Sequence, residues 1–303
     1  MKYLVKNVLV LDKRSPFYQK TIDFIVENGT IISIDNKLTP HTDEIIVEGK
    51  KLVLSTALID INASSGEPQD LESETLDSLI EVATHGGYAY VTHIPNEKKL
   101  TQSKSDIIFL KSKNQNTICQ VLPIGNITRN DNEQVMSAMM DMKQAGAVAF
   151  SDGNEHTLKL NMLKNALLYA KGFNGKIIVH PEKKDLSKNG QVTQGVMSVN
   201  MGFKGVPKEA EFMAVQEIVQ IVQYVESDIL LLNITTPESI DIISQANKKS
   251  KSIYTSTSSA HLLLDEVCLE EYDTNYKLNP PLRNSKDRDK LRKAVLDGKI
   301  DIV

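Results

Sequence analysis

From residue 53 onward the chain repeats one unit: a short apolar run, a polar turn-rich tip, then an amphipathic stretch of helical period. The apolar runs fall at 53–61, 88–94, 117–124, 147–151, 176–180, 229–233, 252–257 and 300–303. Helical patterns fall between them at 74–86, 131–146, 157–172, 209–225 and 238–249. Strands separated by such helices pair in parallel through right-handed crossovers, and eight of them is the number that closes an α/β barrel. The expected fold class is therefore α/β, a TIM-type (β/α)8 barrel over 53–303. The last run stops at Val303, so the C-terminal part of the barrel is expected to require more chain. Residues 1–52 read differently, as short strands broken by Asn28-Gly29. That pair suits the positive φ of a type I′ hairpin turn. A small N-terminal β module over 1–52 is expected.

Composition narrows the function classes. At 303 residues and 41% hydrophobic, the chain can bury a large core. A net charge of -4 with interspersed signs supplies no field for phosphate backbones or anionic lipid, so neither nucleic acid nor membrane is an expected partner. Cys119 and Cys268 are far apart and belong to no Cys-x-x-Cys pair, which points to a reducing, cytoplasmic setting rather than a disulfide framework or structural zinc. No run approaches the roughly 18 apolar residues of a membrane helix, and Lys6 and Asn7 interrupt the apolar start where a signal peptide would be continuous. Met136, Met139, Met140 and Met142 are expected to fill core gaps from one helix.

The first barrel strand carries the main chemical information. It runs Leu58-Ile59-Asp60-Ile61-Asn62-Ala63-Ser64-Ser65-Gly66-Glu67-Pro68, an apolar entry to a polar tip. Barrel chemistry is done at such tips. Asn62 and Ser64 are the groups delivered, and neutral amides and hydroxyls are poor ligands for a catalytic zinc, which takes imidazole, thiolate or carboxylate.

Several collinear segments resemble the dihydroorotase family of cyclic amidohydrolases: IPN at 94–96, FSDGNE at 150–155, IIVHPEKKDL at 177–186, GFKGVPKEAE at 202–211, NITTPES at 233–239 and KLNPPLR at 277–283. The resemblance covers the whole chain. It implies a metal-dependent hydrolase barrel with a small β-sandwich built from both chain ends, of which the C-terminal part is missing here. It also implies the reversible closure of carbamoyl aspartate to dihydroorotate in pyrimidine biosynthesis. A bound metal serves that reaction by lowering the pKa of water from about 15.7 to about 7.

Carried over by position, the resemblance places metal ligands where this chain has Asn62, Ser64 and Asn233, and a substrate-gripping arginine where it has Gly66. In the seventh-strand region it places Pro-His-His where the chain reads Ser259-Ala260-His261. Asp152 and His180 remain as ligand-type residues, and Asn96 and Asn279 as substrate-binding positions. The general base would lie just past Val303. Each surviving residue also has a structural reading: Asp152 as a turn or cap carboxylate, His180 as a hydrogen-bonded core histidine, Asn96 and Asn279 as turn residues beside proline. His85 and His93 are assigned no catalysis. A serine nucleophile at Ser64 or Ser65 with His180 as base lacks a Gly-x-Ser-x-Gly elbow. The hydroxyls at 255–259 are expected to bond one another through water.

The expected protein is thus a pseudoenzyme of dihydroorotase type, with no catalytic residue and no metal held at full occupancy. It is expected to be an oligomer acting as scaffold or regulatory partner, with itself or with aspartate transcarbamoylase. The alternatives are an active amidohydrolase with a reduced zinc site on Asp152 and His180, and a non-catalytic small-molecule sensor.

Overall fold

The computed structural model describes residues 1–67, 74–95, 101–115, 117–129, 132–154 and 158–303. The chain forms two compact units, Met1–Leu58 and Ile59–Val303.

The first unit is a five-stranded mixed sheet. Its strands are β1 (Lys2–Val10), β2 (Thr21–Glu27), β3 (Thr30–Asp35), β4 (Ile45–Glu48) and β5 (Val53–Leu54), in the order β3-β2-β1-β4 with β5 also on β1. Asn28 and Gly29 join β2 to β3 with φ of 50° and 80°, the double positive twist that a tight antiparallel hairpin needs. Val8, Val10, Ile22 and Phe24 form its buried cluster.

The second unit holds a seven-stranded sheet, parallel at every register the structure records, in which strand order follows the sequence. It comprises β6 (Leu58–Ala63), β7 (Tyr88–His93), β8 (Gln120–Gly125), β11 (Ala149–Phe150), β12 (Ile177–Val179), β15 (Ile229–Leu231) and β16 (Ile253–Thr255). Two short pairs lie outside it: β9 (Thr128–Arg129) with β10 (Asn132–Met136), antiparallel, and β13 (Val192–Thr193) with β14 (Gly205–Val206), parallel. The helices are α1 (Leu76–His85), α2 (Lys104–Ser112), α3 (Met139–Ala145), α4 (Leu160–Lys171), α5 (Lys184–Ser187), α6 (Val196–Met201), α7 (Glu209–Val225), α8 (Pro237–Ala246), α9 (Ser259–Leu263) and α10 (Ser285–Leu296).

The sheet is curled. Were it flat, β6 and β15 would stand five strand spacings apart, roughly 24 Å. Instead Ile61 of β6 and Leu230 of β15 pack against one cluster containing Ile94, Ile124, Ile178 and Leu232. That cluster fills the concave side. On the convex side Phe150, Ile177, Leu231 and Ile253 pack with Leu163 and Leu167 of α4 and Val215, Ile218 and Val222 of α7. The buried positions of α7 recur at three- and four-residue intervals, which is why a 17-residue helix forms there.

Among the element boundaries that differ from the sequence reading, three bear on the sheet and its flanks. The run 53–61 is two strands, because Val53 and Leu54 pair with Leu9 and Val10 of β1 while the parallel sheet begins only at Leu58. The run 131–146 is helical only from Met139; Met136 pairs with Thr128 on a strand, although Met139 and Met142 are fully buried as gap-fillers. Met140, in contrast, is 44% exposed. The run 300–303 supplies a single parallel bridge, Ile302 beside Ser256.

Candidate functional site

Parallel strands deliver their C-terminal residues to one end of the sheet, and in this chain those residues are mostly uncharged. Asn62 is the penultimate residue of β6, and its Nδ2 donates to Asn233 Oδ1 beyond β15 at 3.5 Å. Asn154, following β11, donates Nδ2 to Asn62 Oδ1 at 3.0 Å. The curl thus brings the first and sixth strand ends into contact, and two of the positions in question are occupied by amides bonded to each other. Asn233 holds a left-handed backbone, φ 55°, which asparagine tolerates better than most residues, and its N–H donates to Ser256 Oγ at 3.3 Å. Ser64 is exposed, whereas its neighbour Ser65 is buried with its Oγ 2.9 Å from His93 Nε2.

Asp152 is buried at the end of β11 and its carboxylate is fully engaged. Oδ1 accepts from the Ile127 and Thr128 N–H groups at 2.8 and 3.0 Å and from Asn126 Nδ2 at 3.4 Å; Oδ2 accepts from the Thr128 hydroxyl at 2.8 Å. These bonds shape the loop after β8. His180, after β12, is 2% exposed, and among the described residues neither ring nitrogen has a partner at full hydrogen-bond geometry. Glu182 Oε2 stands 3.9 Å from its Nε2. Burial pushes the His180 pKa below the usual histidine range, against the opposing pull of Glu182, Glu211 and the Leu232 backbone.

A catalytic zinc needs three donors of the imidazole, thiolate or carboxylate kind. Among the described residues no three His, Cys, Asp or Glu side chains are grouped to hold a metal ion. The donor set at the strand ends does not fit one: Asp152 spends its oxygens on the 126–128 loop, and positions 62 and 233 carry neutral amides, with Asn62 donating to Asn233 and accepting from Asn154.

Asn279 is exposed and lines a cavity of about 380 Å³ with Lys188, Gln191 and Lys277. Asn96 lies outside the described residues. Of the hydroxyls at 255–259, Thr255 Oγ1 reaches Asp301 and the Lys299 carbonyl, Ser256 accepts from the Asn233 N–H, and Ser258 bonds His261 Nδ1 at 2.8 Å.

Sequence reasoning missed what the resembling segments build together. Glu211 from GFKGVPKEAE, Thr235 and Thr236 from NITTPES, and Arg283 from KLNPPLR meet in one buried network. Glu211 accepts from the Thr236 N–H at 2.9 Å, the Thr235 N–H at 3.1 Å and both threonine hydroxyls. Arg283 donates Nε to Thr235 Oγ1 at 2.9 Å, Nη1 to Thr193 Oγ1 at 3.3 Å and Nη2 to Glu211 Oε2 at 3.4 Å. Both charged side chains are 3% exposed. Thr236 is also the N-cap of α8, with Pro237 at the first helical position. Alongside, His261 Nε2 lies 2.8 Å from the Pro280 carbonyl, which requires the proton on Nε2 and leaves Nδ1 to accept from Ser258. Buried acid and base within resembling segments were the available signal, since a buried charge must find its partner.

The comparisons with known proteins agree with this architecture. A family model described as dihydro-orotase-like matches residues 50–239. A dihydroorotase of Endomicrobium trichonymphae is 31% identical over 306 aligned positions, covering all of this chain and 71% of that protein. A dihydroorotase of Bacillus subtilis (strain 168) is 30% identical, covering all of this chain and 70% of its own length. Among solved structures, an L-hydantoinase (dihydropyrimidinase) from Arthrobacter aurescens superposes with a TM-score of 0.80 at 17% identity, over 99% of this chain and 68% of that one. A D-hydantoinase gives 0.81 at 18%, over 100% and 68%. At such identities the structural likeness speaks for the fold alone. With the family model spanning more than half of the chain, and dihydroorotases matched over all of it, the chain belongs to the dihydroorotase-like family.

Proposed function

We propose that this protein is a catalytically silent dihydroorotase-like barrel of pyrimidine biosynthesis, retained as an oligomeric scaffold or regulatory partner of that route. One observation carries the reading: the side chains at the ends of β6 and β15 are amides hydrogen-bonded to each other, where the family resemblance places metal ligands. A neutral amide pair neither binds a divalent cation firmly nor activates water. The intact segments around it support the fold, through the Glu211–Arg283 network, rather than turnover. Self-association or association with aspartate transcarbamoylase is the partner chemistry the family suggests.

The test is direct. Purified protein is dialysed against zinc, its metal content measured, and carbamoyl aspartate cyclisation assayed. The expected result is substoichiometric zinc and no turnover, with Asn62→His/Ser64→His/Asn233→His gaining zinc. Stoichiometric zinc with cyclisation in the unaltered chain would sink the proposal.

A further inference from the structure

We infer that a second copy of this chain docks on α10 and the strap preceding it, in a two-fold pair that sets the strap of each copy against α10 of the other. This pairing gives the scaffold reading its interface, and rests on that reading only for its purpose.

The two patches are opposite in sign and adjoin each other. The strap, 264–276, holds Asp265, Glu266, Glu270, Glu271 and Asp273 and no lysine or arginine. Helix α10 carries Lys286, Arg288, Lys290, Arg292 and Lys293 against Asp287 and Asp289. Within one copy Arg288 stands 2.5 Å from Asp265, Arg292 donates to the Leu262 carbonyl, and Lys208 takes Asp287 at 2.5 Å. Those contacts leave charge on both sides. Glu270, Glu271 and Asp273 on the strap are exposed and make no ion pair among the described residues, and the same holds for Lys286, Lys290 and Lys293 on α10. Steps of four and three residues put these lysines on one helix face. Asp241 and Asp297 border the groove that Lys290, Lys293 and Lys299 line, and the lysines outnumber them. Lys277, just past the strap, lines the separate cavity beside Asn279.

A two-fold axis between adjoining patches of opposite sign lays acid on base twice, because an isologous contact repeats every pairing with the roles exchanged. A basic partner of another kind would match the strap and be repelled by α10. An apolar centre is also present: Leu263, Val267 and Tyr272 are 68%, 56% and 56% exposed on the strap side, and Leu296 of α10 is 87% exposed. The Tyr272 ring is already braced edge-on against Phe203 at 5.6 Å, so contact costs it little freedom.

Sedimentation velocity of the full chain in chelator-containing buffer tests the pairing. The expected result is a reversible dimer by about 100 µM, weakened about tenfold from low to high salt as the exposed charges are screened. Lys290→Glu/Lys293→Glu and Glu270→Lys/Glu271→Lys each abolish the dimer, and each keeps the far-ultraviolet ellipticity of the parent. Mixed in equal amounts, the two variants dimerise again, since both contacts once more oppose unlike charges. A parent monomeric at about 100 µM, a dimer indifferent to both reversals, no rescue on mixing, or assembly beyond the dimer overturns the pairing. Zinc and turnover enter none of these measurements. An active, zinc-loaded parent would sink the silent reading and leave the pairing standing, whereas a monomer would sink the pairing and leave the catalytic silence untouched.

Discussion

Removing the cation from the buried Glu211–Arg283 pair has a cost that can be worked out contact by contact. In Arg283→Met the Glu211 carboxylate keeps four donors, the N–H and hydroxyl groups of Thr235 and Thr236. It loses only its counter-charge. Breaking a buried pair from one side costs about 3–5 kcal/mol, and the surviving donors place this variant at about 3. Glu211→Ala is worse, because it leaves a buried guanidinium with two hydroxyl acceptors and also orphans two backbone N–H groups at about 1–3 kcal/mol each. Its total exceeds about 5 kcal/mol, a large fraction of a typical domain's stability. Glu211→Gln/Arg283→Met is neutral throughout and keeps an acceptor for the threonines, so it costs about 1–2 kcal/mol, well below the sum of Arg283→Met and Glu211→Gln measured singly. Urea unfolding followed by far-ultraviolet ellipticity reads these differences, since the chain has no tryptophan. The same pair sets an acid limb. Burial pushes the Glu211 pKa up, but the Arg283 guanidinium and the threonine donors outweigh it and hold the group below the ordinary glutamate value. A depressed folded value means the stabilisation is present above the unfolded pKa of about 4.3 and is lost as pH falls through the folded one. Arg283→Met should therefore lose stability at higher pH than the parent. Either Arg283→Met or Glu211→Ala costing under about 1 kcal/mol, or Glu211→Gln/Arg283→Met equal to the sum of Glu211→Gln and Arg283→Met measured singly, would refute the reasoning.

Three further outcomes follow from the packing and titration. Gly125→Ala sets a Cβ 2.8 Å from Met142 Sδ and 3.1 Å from Phe150, both fully buried, and should cost about 1–3 kcal/mol, partly recovered by Met142→Leu; thermal melts check both. Asp152→Asn loses the bond from the Thr128 hydroxyl to Oδ2 and should cost about 1–3 kcal/mol by the same amount with zinc or chelator present. His261 is held below the usual histidine pKa by burial, against the Pro280 carbonyl, so its stabilisation is complete above about 6.5 and declines as pH falls, by at most about 1.4 kcal/mol per pH unit. His261→Gln should flatten the stability profile between pH 7 and pH 5.

The parallel sheet was legible because each strand is a short β-rich run and each intervening helix has its own period; α7 falls on 209–225 as the pattern requires. The exchange at 53–61 was not, since nothing local in that run reveals that Val53 and Leu54 find a partner in β1. The extended start of 132–136 was hidden too. Its apolar spacing suits a helix, and only the antiparallel pairing with Thr128 and Arg129 draws it out. At the strand ends, the residue types at 62, 152, 180 and 233 could be read directly. Their bonds could not: Asn154 reaching Asn62 spans 92 positions and depends on the curl of the sheet. Likewise Ser65 rather than Ser64 turns inward, a difference of one residue that alternation alone leaves open.

The convergence of Glu211, Thr235, Thr236 and Arg283 has a wider bearing. The stretches of chain that most readily betray kinship here are the ones that keep a strap, a helix opening and a long helix in register. They answer to the demands of folding, and so they can outlive the reaction beside which they arose. Whether a relative of this kind still turns over is written in a handful of letters at the tips of its strands, not in the louder signature around them.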